Sequence, residues 1–270
     1  MRPDRDDIAI PPFPPGITWI GSEAPVSERI TARAALLVHF FELGELSGIR
    51  TLPFVSALAR TYADHGLSVL GVHSPRSPLA ASDEALASGL ERLDPGFPVG
   101  NDREHRIWHA YGCRGWPSTF LWGQGGTLRW VQFGEGAYGE TEGAVRAELA
   151  GAGELPSPVA GAAPPGRAPR AGKPSEEVFP GGSHDVPWEP GRAGEPLEVE
   201  YAGGGAWAAL DGAGTVALAV DGEPTGTIDL EGPGLYELSG HPEHGIHEVR
   251  LDFDGPVRVW SLAFAPGPAR

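Results

Sequence analysis

Apolar and polar positions follow two different patterns along the chain. In the first half, short unbroken apolar runs alternate with segments of helical period. Residues 34–41 form a continuous apolar run of the kind a buried central strand requires. The next segment, Leu46 to His65, places Ile49, Leu52, Val55, Leu58 and Tyr62 at helical spacing, with Gly66 just past the end as a C-cap and Pro53 inside, where it should kink the helix. Leu67 to His73 predicts a second buried strand, followed by a helix opening near Ser82 and an extended piece at Phe97–Gly100. Asn101 precedes Glu104 by three residues, a capping-box-like start for a helix through Ile107, Trp108 and Tyr111. Ser118–Trp122 and Leu128–Phe133 flank a glycine-rich turn and predict a hairpin, and Thr141 to Leu149 predicts a closing helix. The order implies an α/β unit, a mixed sheet with helices on both faces.

After residue 180 the pattern shifts to short alternating strands: 197–201, 206–210, 215–220, 227–230, 235–238, 247–253 and 257–264. Asp211-Gly212, Asp221-Gly222 and Asp254-Gly255 supply tight turns between them. Seven short strands with such turns predict an all-β sandwich. Between the halves, twelve of the thirty residues 151–180 are Pro or Gly and no period can be traced, so the segment predicts a flexible linker. The expected division is residues 1–150, an α/β domain; 151–178, the linker; and 179–267, the β-sandwich.

Composition narrows the classes of function. The chain has 270 residues, enough for two cores, and a formal net charge of −16 with no basic patch evident, which argues against nucleic acid as a partner. No apolar run is long enough to span a bilayer and the first residues lack the apolar stretch of a secretory signal, so no membrane partner and a cytoplasmic location are expected. There is one cysteine, Cys113, so no disulfide can form within the chain.

Several separated motifs together carry a family resemblance. They are Arg50-Thr-Leu-Pro53, Tyr62 to His73, Asn101-Asp102, Ile107 to Gly112, Trp116-Pro117 and Phe133 to Glu142. Over about Gly16 to Leu149 the chain resembles the thioredoxin-like thiol–disulfide oxidoreductases of the TlpA and DipZ type. The β-rich half resembles, more loosely, the module that follows the thioredoxin domain in DipZ-like proteins. The resemblance implies a thioredoxin fold, a cis-proline at Pro117, and an active segment that opens the helix at Leu46. In the family pattern the two cysteines of C-x-x-C would fall at Glu45 and Gly48, and neither residue carries sulfur. Dithiol chemistry needs a thiolate stabilised at a helix N-terminus and a second thiol to resolve the mixed disulfide, so this locus excludes it.

The candidate site residues follow from that departure. Glu45, Gly48, Trp116 and Pro117 would form the former active-site groove, with Glu45 favouring its helix N-terminus through the dipole or serving as an anion in the groove. Pro117 leaves neighbouring backbone open to an extended protein or peptide partner. Cys113 falls in the loop facing that groove; the commoner fate of a lone cysteine is a small buried hydrophobe, and the alternative is a single-thiol oxidoreductase or peroxidase in which Arg114 lowers its pKa. His241, His244 and His247 could suggest a metal, but their spacing is not expected to bring them to one face, and they predict surface histidines; no metal and no cofactor are expected. Tyr201, Trp207, Tyr236 and Trp260 could form a carbohydrate-binding platform, although aromatics alternating on strands more often fill a core. The expected function is a non-redox, degenerate thioredoxin-like protein with a binding or scaffolding role. Nothing in the sequence sets the oligomeric state.

Overall fold

The computed structural model describes residue 1 and residues 7–159, 172–190 and 195–267. The chain divides into two compact units.

In the first unit a short strand β1 (Thr18–Ile20) and a one-turn helix α1 (Ser27–Thr31) precede the central strand β2 (Ala35–Phe41) and the long helix α2 (Leu46–Tyr62). β3 (Leu67–His73) follows, then α3 (Asp83–Leu93), which belongs to the second unit, β4 (Val99–Asn101), α4 (Arg106–Tyr111), β5 (Ser118–Trp122), β6 (Leu128–Phe133) and α5 (Tyr138–Glu148). The six strands form one sheet in the order β1-β4-β3-β2-β5-β6. β2 runs parallel to β3 and β3 to β4, while the hairpin β5–β6 and the edge strand β1 are antiparallel.

Every residue of β2 is buried, because alternate side chains enter two separate cores. Leu36, Val38 and Phe40 pack with Ile107, Trp108 and Tyr111 of α4 on one face. Ala35 and Leu37 pack with Val55, Leu58 and Tyr62 of α2 and Val145 of α5 on the other. The unit therefore has the thioredoxin-like fold, with helices on both faces of a mixed sheet. Gly66 ends the α2 region at φ +94°, the left-handed conformation its position predicts. α4 departs from expectation. Asn101 lies in β4, and the helix is capped by the buried Asp102, whose Oδ1 accepts from the Ile107 N–H (3.1 Å) and whose Oδ2 accepts from the Trp108 N–H (2.8 Å). His105, at φ +56°, turns the chain between β4 and the helix, which shifts the cap by one residue.

The segment expected to be a linker is anchored at its beginning. Glu142 of α5 is buried, and its Oε1 accepts from the Tyr62 hydroxyl (2.5 Å) and from the Val159 N–H (2.7 Å). Arg146 Nη1 donates to the Tyr62 hydroxyl (2.8 Å) and to the Pro156 carbonyl (2.7 Å). Residues 156–159 are thereby pinned to α2 and α5. Replacing Glu142 by alanine leaves the Tyr62 hydroxyl proton and the buried Val159 N–H without their acceptor, so urea unfolding should show a loss of about 2 to 3 kcal/mol; a loss below about 0.5 kcal/mol would mean that the clamp contributes nothing. Residues 160–171, the middle of the expected linker, lie outside the described residues.

The second unit gathers Leu43–Leu46, Pro75–Leu93 and the chain from Arg167 onward. Its sheet is wholly antiparallel, with β7 (Leu197–Gly212), β8 (Thr215–Val220), β9 (Glu223–Asp229), β10 (Gly234–Asp254) and β11 (Val257–Ala265) in the order β11-β7-β10-β8-β9. The seven expected strands are five. Leu197–Tyr201 and Ala206–Leu210 run together in β7, and Leu235–Leu238 and His247–Phe253 in β10, because bulges change the register without ending the ladder. The inner face collects a single core that includes Tyr201, Leu210, Tyr236, Val249, Leu251 and Leu262. β9 is an exposed edge strand along almost its whole length. Residues 172–178 run beside this sheet, with Ser175 N–H donating to Ala202 O (2.7 Å) and Val178 exchanging two backbone hydrogen bonds with Leu262.

Candidate functional site

The sulfurless locus lies where β2 hands the chain to α2. Glu45, half-buried, immediately precedes the helix, and Gly48 is buried in its first turn. α2 is tied to the loop after β6 by an ion pair between Arg50 and Glu135 (3.1 Å) and to the first residue of α5 by Phe54 against Tyr138, 4.8 Å between ring centres.

Glu45 sits in the Leu43–Leu46 stretch that belongs to the second unit, whereas Gly48, Trp116 and Pro117 belong to the first. Within the second unit this stretch is held from two directions. Arg76 Nη2 donates to the Gly44 carbonyl (3.2 Å), and the same guanidinium grips both carboxylate oxygens of Glu177 while lying 5.9 Å from the centre of the Phe179 ring. Opposite, a Cβ on Gly89 of α3 would lie 2.5 Å from Leu43 Cδ1 and 2.8 Å from the Pro233 carbonyl, so only glycine permits that approach. The backbone just before Glu45 is thus embedded in packing and held by an arginine that itself sits in a charge-assisted bidentate pair.

The Trp116–Pro117 peptide bond is cis, in the loop that leads into β5. Trp116 is half-buried; its Nε1–H donates to the Ser74 carbonyl (3.0 Å) and its ring packs 4.5 Å from that of Trp108. Ser74 Oγ in turn approaches Asp102 Oδ2 (3.4 Å). Asp102, which the sequence offered only as part of a matching dipeptide, therefore supports both α4 and the serine whose carbonyl anchors Trp116. Its signal was local: a carboxylate immediately before an irregular turn and a short helix.

Cys113 follows α4 and packs with Trp116 against the Trp108–Tyr111–Phe120 core. Burial raises its thiol well above the usual range, with a hydrogen bond to Ser118 only partly opposing, so its thiolate is disfavoured. Two histidines are buried in the same sheet. His39 of β2 has Nδ1 2.9 Å from Thr119 Oγ1, and His73 ends β3; burial holds them at about 3 and about 4.

In the second unit Tyr201, Tyr236 and Trp260 are buried and Trp207 is half-buried, so these aromatics are mostly core. His241 and His247 are brought together, contrary to expectation, because residues 241–244 fall in a register shift of β10. Among the described residues no group of three or more His, Cys, Asp or Glu side chains is arranged to hold a metal ion. Among the same residues no helix is long and apolar enough to cross a membrane.

No family model matches the chain. It is 30% identical over 198 residues to Protein DipZ of Mycobacterium bovis, a match covering 71% of this chain and 26% of that protein. NHL repeat-containing protein 2 of Homo sapiens is 30% identical over 134 residues, covering 49% of this chain and 18% of its own length. Among solved structures, a thiol-disulfide isomerase from Corynebacterium glutamicum superposes with a TM-score of 0.44 at 22% identity, over 52% of this chain and 96% of that one. The chain spans about a quarter of the length of the DipZ protein it matches.

Proposed function

We propose that this chain, a thioredoxin-like relative of DipZ, carries out no thiol–disulfide exchange of its own and serves as a binding or scaffolding protein in the cytoplasm. What supports the reading is the pair Glu45 and Gly48 at the two positions that the family resemblance assigns to the C-x-x-C cysteines. Neither side chain can form or resolve a mixed disulfide, and the residues around Glu45 are engaged in packing and hydrogen bonding. The retained cis Trp116–Pro117 turn, with Trp116 fixed by Ser74 and Trp108, offers a preorganised surface suited to an extended protein or peptide partner.

A working thiol at Cys113 is the competing reading. Its burial and raised pKa weigh against it, since the nucleophile is the thiolate. Insulin reduction by dithiothreitol tests both. The native chain should not accelerate precipitation beyond dithiothreitol alone, whereas Glu45→Cys/Gly48→Cys provides the sulfur control. Strong turnover by the native chain that is lost in Cys113→Ser would establish the single-thiol enzyme instead.

A further inference from the structure

The β10 bulge carries a cluster that the proposed function leaves unused. Between Gly240, opposite Gly205, and Gly245, opposite Gly203, the register of β10 shifts, so residues 241–244 stand outside the regular pairing with β7. The rings of His241 and His247 close this excursion by stacking face to face, 3.5 Å between centres and 4° from parallel. Each ring is also held at its edge. Tyr201 of β7 shares its hydroxyl between Ser239 Oγ (2.6 Å) and His241 Nε2 (2.8 Å), and Asp221, in the turn from β8 to β9, meets His247 Nδ1 at 2.8 Å through Oδ2. Asp221 Oδ1 also accepts from the Glu248 N–H (2.9 Å), which fixes the carboxylate.

The titratable groups around the pair are Tyr201 from β7, Asp221 from the β8–β9 turn, and Glu243 and His244 on the bulge itself. Asp221 is the carboxylate that meets the His247 ring, and it compensates one positive charge on the stack. A second proton places two cations at van der Waals distance, and the tyrosine hydroxyl facing His241 carries no charge to offset it. Burial first and the neighbouring His247 charge second lower the His241 pKa, and the Asp221 charge only partly opposes them.

We propose that the stacked His241–His247 pair is an acid-sensitive latch, which holds the 241–245 excursion against β7 at neutral pH and releases it when acid adds positive charge to the stack at His241. The released segment includes Gly245, whose missing side chain is what lets the His247 ring lie against the backbone: a Cβ there would fall 2.7 Å from His247 Nε2. The flanking ladder, Val249 to Leu251 against β7 and β8, has no part in the latch and stays paired.

Hydrogen–deuterium exchange on the intact chain at pH 7.5 and 5.0, corrected for the intrinsic pH dependence, tests this. Amides of residues 240–247 should open at least tenfold more at pH 5.0, while those of Val249–Leu251 change less than twofold. His241→Gln and His247→Gln should each flatten the response. The latch is refuted if the corrected exchange of 240–247 is the same at both pH values, if the increase persists in His241→Gln, or if Val249–Leu251 open to the same extent.

Discussion

Between pH 7 and pH 5 the first unit should lose about 3 to 4 kcal/mol of stability, with no change in any exposed ion pair needed to explain it. His39 and His73 are both fully buried, and burial lowers them to about 3 and about 4. For His73 the charge of His105 adds to the lowering and a hydrogen bond with Asn101 opposes it. In the unfolded chain each imidazole returns to a pKa near 6.5. Below that value the unfolded state binds protons that the folded state refuses, so stability is complete above about pH 6.5 and falls as the pH drops toward the folded values. Each histidine contributes a slope of about 1.4 kcal/mol per pH unit in that window. Urea unfolding followed by tryptophan fluorescence at pH 5, 6 and 7 measures the loss, and His39→Gln should remove about half of the slope. A midpoint that does not move between pH 5 and 7 would show that these rings are solvated.

The second large effect is expected at Asp102. This carboxylate is fully buried and accepts from two consecutive backbone N–H groups at the start of α4, with Ser74 Oγ at 3.4 Å. Asp102→Ala leaves those donors without their acceptor in a fully buried site, and a loss of about 3 to 5 kcal/mol is expected. Asp102→Asn retains one carbonyl acceptor and should recover roughly half of it, because hydrogen bonds to a charged acceptor are about twice as strong as neutral ones. Thermal unfolding of both variants would decide the point. If Asp102→Ala melts within a degree or two of the native chain, the cap carries no weight and the path from α4 through Ser74 to Trp116 is not what holds that loop.

Much of the first unit was legible because its elements announce themselves locally. β2 and β3 are unbroken apolar runs, α2 keeps its period to a glycine stop, and the β5–β6 hairpin turns on a glycine-rich loop. β1 and α1, at 3 and 5 residues, are too short to show a period, and β1 exists only because β4 offers it an edge. The α4 cap is not visible in the sequence spacing because an αL residue, His105, separates Asp102 from the helix. In the second unit the alternation located the strands correctly, but bulges preserve hydrogen bonding across what look like breaks, which hid the joining of seven pieces into five. The same bulges hid the histidine pair, since contact across six residues requires a detour that regular strand geometry forbids. At the candidate site, the apolar run and the helical period place Glu45 and Gly48 at the β2–α2 junction, where the structure has them. What the sequence could not show is that Arg76, itself paired with Glu177, and Gly89 engage the residues just before Glu45, because those contacts join positions far apart in the chain.

One edge of the second unit has a colloidal consequence. A terminal strand with its hydrogen-bonding row open invites any passing extended chain to extend the ladder. β9 discourages that: Pro224 has no N–H to contribute, Gly226 at φ +155° interrupts the run of side chains, and Glu223 and Asp229 place negative charge at either end. Concentrated solutions should therefore resist sheet-to-sheet growth from this side, and Pro224→Val is the change that would invite fibrils.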